Sequence, residues 1–187
     1  MKKNLIIIVM FLPLVALSQR SDSSKNSVPL KDGDIQYERI YDLDSTIKKD
    51  ELYSRAIRWM AKIFIDSKEV IRIADKENGN IVGKGSFDIV TSSFWGIKYR
   101  IQMITDITVK DKKYKILFNQ FVYRYLNEKT PADQYYPLKR YLKPHRDDDH
   151  LSLGHDNKLF REINIKIEEL MSSLYKDMSS NISVSDF

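Results

Sequence analysis

The residues best suited to chemistry in this chain of 187 residues lie in one short stretch. The chain has three histidines, His145, His150 and His155, and three consecutive aspartates, Asp147 to Asp149, stand between the first two. Imidazole and carboxylate groups are ligands that Zn²⁺ and other divalent cations take in proteins. However, no H-E-x-x-H or comparable spacing is present, and adjacent carboxylates in a loop bounded by proline are usually solvated. We therefore predict no metal site and no cofactor, with a divalent-cation site formed by the histidines and Asp149 as the alternative.

The charges around this stretch are segregated by sign. Four cations are balanced by four carboxylates, so the segment is neutral as a whole. A self-compensating, solvated loop is the first interpretation, and a docking surface for a charged partner is the alternative. The residues concerned are Lys139, Arg140, Lys143 and Arg146, and then Asp147, Asp148, Asp149 and Asp156.

The motifs of common enzyme classes are missing from the sequence. Because the chain has no Cys, disulfide scaffolds, zinc ribbons, thiol redox sites and Cys nucleophiles are excluded. There is no G-x-S-x-G elbow and no G-K-[ST] phosphate loop. Gly83 and Gly85 lie inside a predicted strand and not at a strand-to-helix turn, so they do not support a dinucleotide site. We predict no catalytic residue and no enzymatic activity.

The two strand glycines still need a physical reason, because glycine weakens a strand. Close approach of a helix to the sheet, or a bulge, is one explanation for Gly83 and Gly85. A shallow site where a ligand approaches the backbone is the other. We favour the first explanation.

The first 18 residues have the pattern of an export signal. Two lysines precede an apolar run from Leu5 to Leu17, and Ala16 and Ser18 are small residues at the −3 and −1 positions of a cleavage site. This run is shorter than the ~20 residues that a membrane-spanning helix needs. We expect cleavage between Ser18 and Gln19 and a mature chain that is periplasmic or extracellular, without a transmembrane segment.

The formal net charge of +5 raises the question of nucleic-acid binding. A sheet that reads the minor groove of DNA inserts apolar wedges, and the even-numbered face of the predicted strand Tyr99–Val109 offers no pair of Phe for that purpose. Export would also separate the protein from chromosomal DNA. We therefore predict no nucleic-acid partner and favour an anionic surface. The basic residues gathered at one predicted hairpin tip and before it are Lys98, Arg100, Lys110, Lys112, Lys113 and Lys115.

Hydrophobic periodicity predicts one domain made of the segments 35–125 and 158–176. Apolar residues alternate along the later strands, which is typical of an antiparallel sheet with one buried and one wet face. In chain order we predict a flexible leader over 19–34, a strand Ile35–Leu43, a helix Ile47–Phe64, strands Glu69–Ala74, Asn80–Val90, Tyr99–Val109 and Tyr114–Tyr125, a long variable loop over 126–157, a helix Lys158–Lys176 and a tail over 177–187.

Local signals add detail to these elements. Asp44, Ser45 and Thr46 could cap the first helix, whose predicted polar face carries Glu51 and Arg55. A change of phase in the last strand predicts a β-bulge near Asn119-Gln120. Two amphipathic helices are available to cover one face of the sheet. The fold class is therefore α+β, with two layers in the order β-α-β-β-β-β-α.

Three segments resemble a bacterial family of domains of unknown function. They are LYSRAIRWMAKIF (Leu52 to Phe64), DSKEVIRIADKENGNIVGKGSF (Asp66 to Phe87) and YKILFNQFVY (Tyr114 to Tyr123). The resemblance runs from about Ile35 to Tyr125. It implies a fold like that of the TATA-binding protein (TBP) and an exported protein. The family has no established activity, so the resemblance implies no site residues.

Together these features predict an exported bacterial envelope protein that is a non-catalytic binding or interaction module. Its expected partner is an unknown envelope protein or a small apolar ligand. The alternatives are an envelope-directed hydrolase that uses the His/Asp loop as its site, and a purely structural periplasmic protein. No role is assigned to the loop over 126–157.

Overall fold

The computed structural model describes residues 27–43, 47–64, 71–91, 96–127, 129–142 and 153–180, with side chains from residue 157 onward in the last range. One antiparallel sheet is covered on one face by two helices. In chain order the elements are β1 Leu30–Lys31, β2 Asp34–Ile35, β3 Tyr37–Asp42, α1 Lys49–Ile63, β4 Ile71–Asp75, β5 Asn80–Val90, β6 Lys98–Lys110, β7 Lys113–Tyr125, β8 Tyr136–Pro137, a 3-10 helix Leu138–Leu142, and α2 Leu153–Ser179.

The main sheet has the strand order β3-β7-β6-β5-β4, and β8 pairs with β7. Burial alternates along β5 and β6, with the odd-numbered residues beneath the helices. Ile101 and Ile107 are fully buried on this helix-facing side, whereas Ile104 lies on the open side. The predicted two-layer α+β class with a one-sided antiparallel sheet is therefore confirmed.

A β-bulge in β7 keeps its apolar side chains on the helix-facing side. Gln102 pairs with Val122 and Ile104 pairs with Asn119, so Met103 stands opposite two residues of β7. One of these, Gln120, has a φ of +52°. This is the geometry of a bulge whose first residue is left-handed. The predicted bulge near Asn119-Gln120 is confirmed.

The N-terminal part of the described chain differs from the expected flexible leader. Strands β1 and β2 form a short hairpin around Asp32 and Gly33, both of which have positive φ. Val28 and Ile35 are buried in the core. Val28 of the predicted leader is therefore packed in the core, whereas Ser27 and residues 29–34 are exposed. Residues 1–26, which include the predicted signal segment, lie outside the described residues, as does the predicted tail from residue 181 onward.

The first helix begins next to the β6–β7 hairpin. The backbone N–H of Lys49 donates to the carboxylate of Asp111 at 2.9 Å, and Lys48 at the N-cap makes no side-chain cap of its own. An acidic group is favourable at this end of a helix. The carboxylate thus comes from a distant turn. The residues predicted as caps, 44–46, lie outside the described residues.

The two helices are joined through a buried cation. Arg55 is only 7% exposed, although the sequence places it on the polar face of α1. Its Nη1 donates to the carbonyl oxygens of Met178 and Ser180 at 2.9 and 2.6 Å, and its Nε donates to Glu51. A cation is favourable at the C-terminal end of a helix, where carbonyl groups lack partners. Arg55 therefore anchors the end of α2 to α1, and its predicted polar-face position is wrong.

Gly85 lies beneath Phe64, the residue that follows α1. A Cβ atom at this position would stand 2.5 Å from Cε1 of Phe64. Phe64 is buried, and its ring packs edge-on against Trp59. Close packing of the helix layer on the sheet therefore explains Gly85, and no ligand is needed.

Replacing Gly85 with alanine should destabilise the fold by roughly 1–3 kcal/mol, because the new methyl group overlaps a buried ring. Urea denaturation followed by circular dichroism measures this difference. Ser86→Ala is the matched control, since Ser86 points to the open side of the same strand. Its expected effect is within about 0.5 kcal/mol. Equal stabilities for the two variants would contradict the assignment.

Candidate functional site: a groove between β3 and α2

The predicted His/Asp cluster falls largely outside the described residues. His145, Asp149 and His150 lie in the gap between the 3-10 helix and α2. His155 belongs to the first turns of α2, and its side chain is also outside the described part. The alternative of a metal site there stays a prediction. Within the described ranges, no group of three His, Asp or Glu side chains is arranged to hold a metal ion.

The basic residues grouped in sequence are separated in the fold. Lys110 and Lys113 stand at the β6–β7 hairpin tip, whereas Lys98 begins β6 at its other end. A strand of this length spans ~40 Å. Arg100 is bound to the carboxylate of Asp88 through two hydrogen bonds of 2.7 and 2.8 Å. Lys98 and Arg100 therefore lie apart from the lysines at the hairpin tip.

A groove of about 950 Å³ runs between the outer edge of β3 and the middle of α2. Its side toward β3 is formed by Tyr37, Glu38 and Arg39. The apolar part of its lining includes Met171, which is buried, and Ile165, which is 48% exposed. The remaining lining residues are Ser27, Pro29, Arg161, Asn164, Glu168, Glu169 and Ser172.

One end of the groove is held by a chain of hydrogen bonds. The hydroxyl of Tyr37 donates to Oδ1 of Asn164 at 2.5 Å, and Nδ2 of Asn164 donates to the carbonyl of Ser27 at 3.0 Å. These bonds connect β3, α2 and the N-terminal segment. Burial, and next the negative charge of Glu168, raise the pKa of Tyr37 well above its ordinary value. Tyr37 is therefore a neutral donor near pH 7.

An ion pair bridges the same two elements one turn further along α2. Arg39 donates to both carboxylate oxygens of Glu168, at 3.0 and 2.7 Å. This pairing with Glu168 raises the pKa of Arg39 above its usual range. Arg39 also lies over the ring of Tyr41, which packs against Tyr175 of α2. The two-point hydrogen bond fixes the spacing between β3 and α2, although a half-exposed pair adds only about 0–1 kcal/mol.

A second, more polar cavity of about 480 Å³ lies beside the β7 bulge. It is bordered by Gln120, Phe121 and the β1–β2 turn, and Lys139 closes one side through a 2.8 Å contact with Asp34. Asp34 and Lys139 neutralise each other there. The groove along β3 is larger and has the more apolar lining, so we take it as the candidate site.

Sequence reasoning missed every residue of this groove. Asn164, Ile165 and Glu168 follow one another on a face of α2 that reads as solvent-exposed. Tyr37 and Arg39 alternate along a strand whose edge position is unknown from sequence. An exposed Ile165 next to polar neighbours was the one available signal.

No helix in the described ranges combines the length and apolar character that crossing a membrane requires.

Two crystal structures share this fold. A DUF4468 family protein from Bacteroides ovatus is 16% identical, with a TM-score of 0.66, over 82% of this chain and 91% of that chain. A TBP-like protein from Parabacteroides distasonis is 19% identical, with a TM-score of 0.62, over 81% and 96%. At these identities the likeness shows the fold alone. The protein therefore has a TBP-like fold, as expected.

The family follows from the sequence of the same region. Residues 37–124 match the model of the domain of unknown function DUF4468, described as having a TBP-like fold. Residues 37–124 thus match this family, in agreement with the family and the fold named for the resemblance noted above. No curated protein matches the chain.

Tyr37 should make stability sensitive to alkaline pH. The pKa of its hydroxyl is raised in the folded chain. As the pH rises above 10.0, the ordinary pKa of tyrosine, this hydroxyl therefore loses its proton in the unfolded chain first. The contribution of Tyr37 to the free energy of unfolding is therefore constant below that pH and decreases above it. Urea denaturation at a series of pH values measures this change.

Tyr37→Phe should be about 1 kcal/mol less stable at neutral pH, because the bond to Asn164 is lost. Its free energy of unfolding should then decrease less than that of the wild type above pH 10. Tyr175→Phe, which removes the hydroxyl of an exposed tyrosine, serves as the control and should keep the wild-type stability at neutral pH. Identical alkaline slopes for Tyr37→Phe and the wild type would contradict this reading.

Proposed function

We propose that this protein is an exported, non-catalytic binding module whose ligand occupies the groove between β3 and α2. The observation that carries the proposal is the groove itself, an open depression of about 950 Å³ with a mainly apolar surface. The polar groups at its sides are hydrogen-bonded to one another. This volume is in the range of known ligand sites. An exposed isoleucine, Ile165, within such a depression offers an apolar contact to a partner.

The chemistry of the groove supports binding more than catalysis. Tyr37 keeps its proton near neutral pH, and Arg39 is a permanent cation held by Glu168. Neither group exchanges protons at the pH where most enzymes work. Both are fixed by contacts between elements, so they can orient a ligand without rearrangement.

Export rests on the first 18 residues of the sequence. The basic start, the apolar run from Leu5 to Leu17 and the small residues Ala16 and Ser18 fit a cleaved signal. We propose that the mature protein begins at Gln19 and works in the bacterial envelope or outside the cell.

The groove can be tested with the fluorescent dye anilinonaphthalene sulfonate, an apolar anion. We expect Ile165→Glu to weaken dye binding to the mature chain at least ten-fold, because a charge replaces the exposed apolar contact of the groove. Fluorescence titration measures the affinity, and circular dichroism checks that each variant is folded.

Ile73→Glu is the matched control for this titration. Ile73 is 52% exposed, close to Ile165 at 48%, but it lies on β4 at the opposite edge of the sheet. The control should bind the dye like the wild type. Unchanged binding by Ile165→Glu, or no binding by the folded wild type, would refute the groove as a ligand site.

Export is tested by producing the full chain in a Gram-negative host. We expect intact-mass measurement of the envelope fraction to give a protein that begins at Gln19. Ala16→Asp places a charge at the −3 position and should leave the signal attached. Recovery of the uncleaved wild-type chain in the cytoplasm would disprove the export proposal.

A further inference from the structure

The outer edge of β3 carries backbone groups that do not bond to β7. In the described part of the chain, β3 ends the main sheet, and β7 is its only neighbour in the strand order. The N–H of Leu43 donates to the carbonyl of Lys112 at 2.7 Å, in register with the β3–β7 pairs. Because such bonds alternate along an antiparallel pair, the odd-numbered residues of β3 bond to β7. The backbone groups of Glu38, Ile40 and Asp42 therefore point outward.

This edge already donates one strand-type hydrogen bond to another part of the chain. The outward N–H of Gln36 donates to the carbonyl of Pro29 at 3.1 Å, in the register of the β1–β2 hairpin. At the next bonding position of that register, the carbonyl of Ser27 accepts a hydrogen bond from Asn164 of α2. The strand-type pairing of the hairpin therefore extends to Gln36, just before β3.

The groove lies where a further strand would be placed. Neighbouring strands are ~4.8 Å apart, and the groove flanks β3 on the side away from β7. Its lining on α2 runs from Arg161 to Ser172, which corresponds to ~16 Å of helix. An extended chain of about five residues has the same length.

The two faces of a strand added beside β3 would lie in different environments. Toward the helices, an added strand would meet Met171 and the exposed Ile165. Toward the open side it would lie beside Glu38 and Asp42, which are exposed carboxylates on both sides of Ile40. Apolar side chains suit the first environment and basic side chains suit the second.

Building on the function proposed above, we propose that an extended segment of another polypeptide binds as an added strand along β3, with apolar residues in the groove and Lys or Arg on the open side. Backbone hydrogen bonds supply affinity in this mode of recognition, and alternate side chains supply specificity.

A second copy of this chain fits the position less well. Antiparallel pairing of two β3 strands about Ile40 would place Glu38 opposite Asp42 of the other copy. Like charges directly opposite each other are unfavourable. The residues that precede Ser27 are also poorly matched to an apolar groove, since residues 19–26 are all polar.

The probe is a synthetic seven-residue peptide of alternating Lys and Val, and the charge-reversed peptide of alternating Glu and Val is its control. The chain has no Cys, so Ser172→Cys places a single fluorophore in the groove and Ser54→Cys places one on α1. We expect the Lys/Val peptide to change the emission at position 172 only. The Glu/Val peptide should bind at least ten-fold more weakly.

Amide hydrogen exchange gives the decisive readout at single residues. The amides of Glu38, Ile40 and Asp42 should exchange quickly in the free mature protein and become protected at least ten-fold when the Lys/Val peptide is bound. Ile40→Pro removes one outward donor without loss of a β7 bond and should weaken peptide binding at least ten-fold. Ile40→Thr keeps the donor and should retain most of the affinity.

The outcomes separate the two proposals. If the peptide binds and Ile165→Glu abolishes binding, but the three amides stay unprotected, strand addition is refuted and the groove remains the site. Absence of peptide binding up to about 1 mM, with dye binding intact, refutes the polypeptide ligand alone. Protection of the amides in the free protein would show that the edge is occupied by this chain or a second copy, and sedimentation analysis would distinguish these two cases.

Discussion

The structure depends on covering one broad apolar face of the sheet, and in the described part of the chain two helices do so. Strands β5, β6 and β7 present a continuous row of buried side chains on that face, and each residue left uncovered would cost free energy in proportion to its apolar area. The sheet approaches the helix layer most closely at Gly85, where a side chain would overlap Phe64. The second helix is attached to the first by the buried Arg55, which donates hydrogen bonds to the carbonyl oxygens of Met178 and Ser180 at the end of α2.

The candidate site is a consequence of how α2 is attached. The contacts of Tyr37 with Asn164 and of Arg39 with Glu168 hold the middle of α2 beside the edge strand. The groove between them is therefore bounded by a strand with outward backbone groups and by a helix with an exposed isoleucine. Binding in such a place needs little change of shape, because the bounding elements are already ordered by their own contacts.

Much of the fold could be predicted because its signals are local. Asn80–Val90 is found with the predicted bounds, and the bulge at Gln120 follows from a change of phase within one strand. Errors arose where distant parts of the chain meet. The sequence places Arg55 on the polar face of the first helix, but the end of α2 covers it. Val28 belongs to a segment that the sequence predicts as flexible, but it is buried in the core, as is Ile35.

The sequence by itself determined the fold class, the side of each long strand that is buried and the family that residues 37–124 match. These follow from periodicity, composition and short motifs, which are properties of neighbouring residues. Only the tertiary structure decided that β3 ends the main sheet in the described part of the chain and which face of α2 lies beside it. Tyr37 and Asn164 are 127 positions apart, and no local sequence pattern indicates that they are in contact. The groove exists because packing of the whole sheet brings them together.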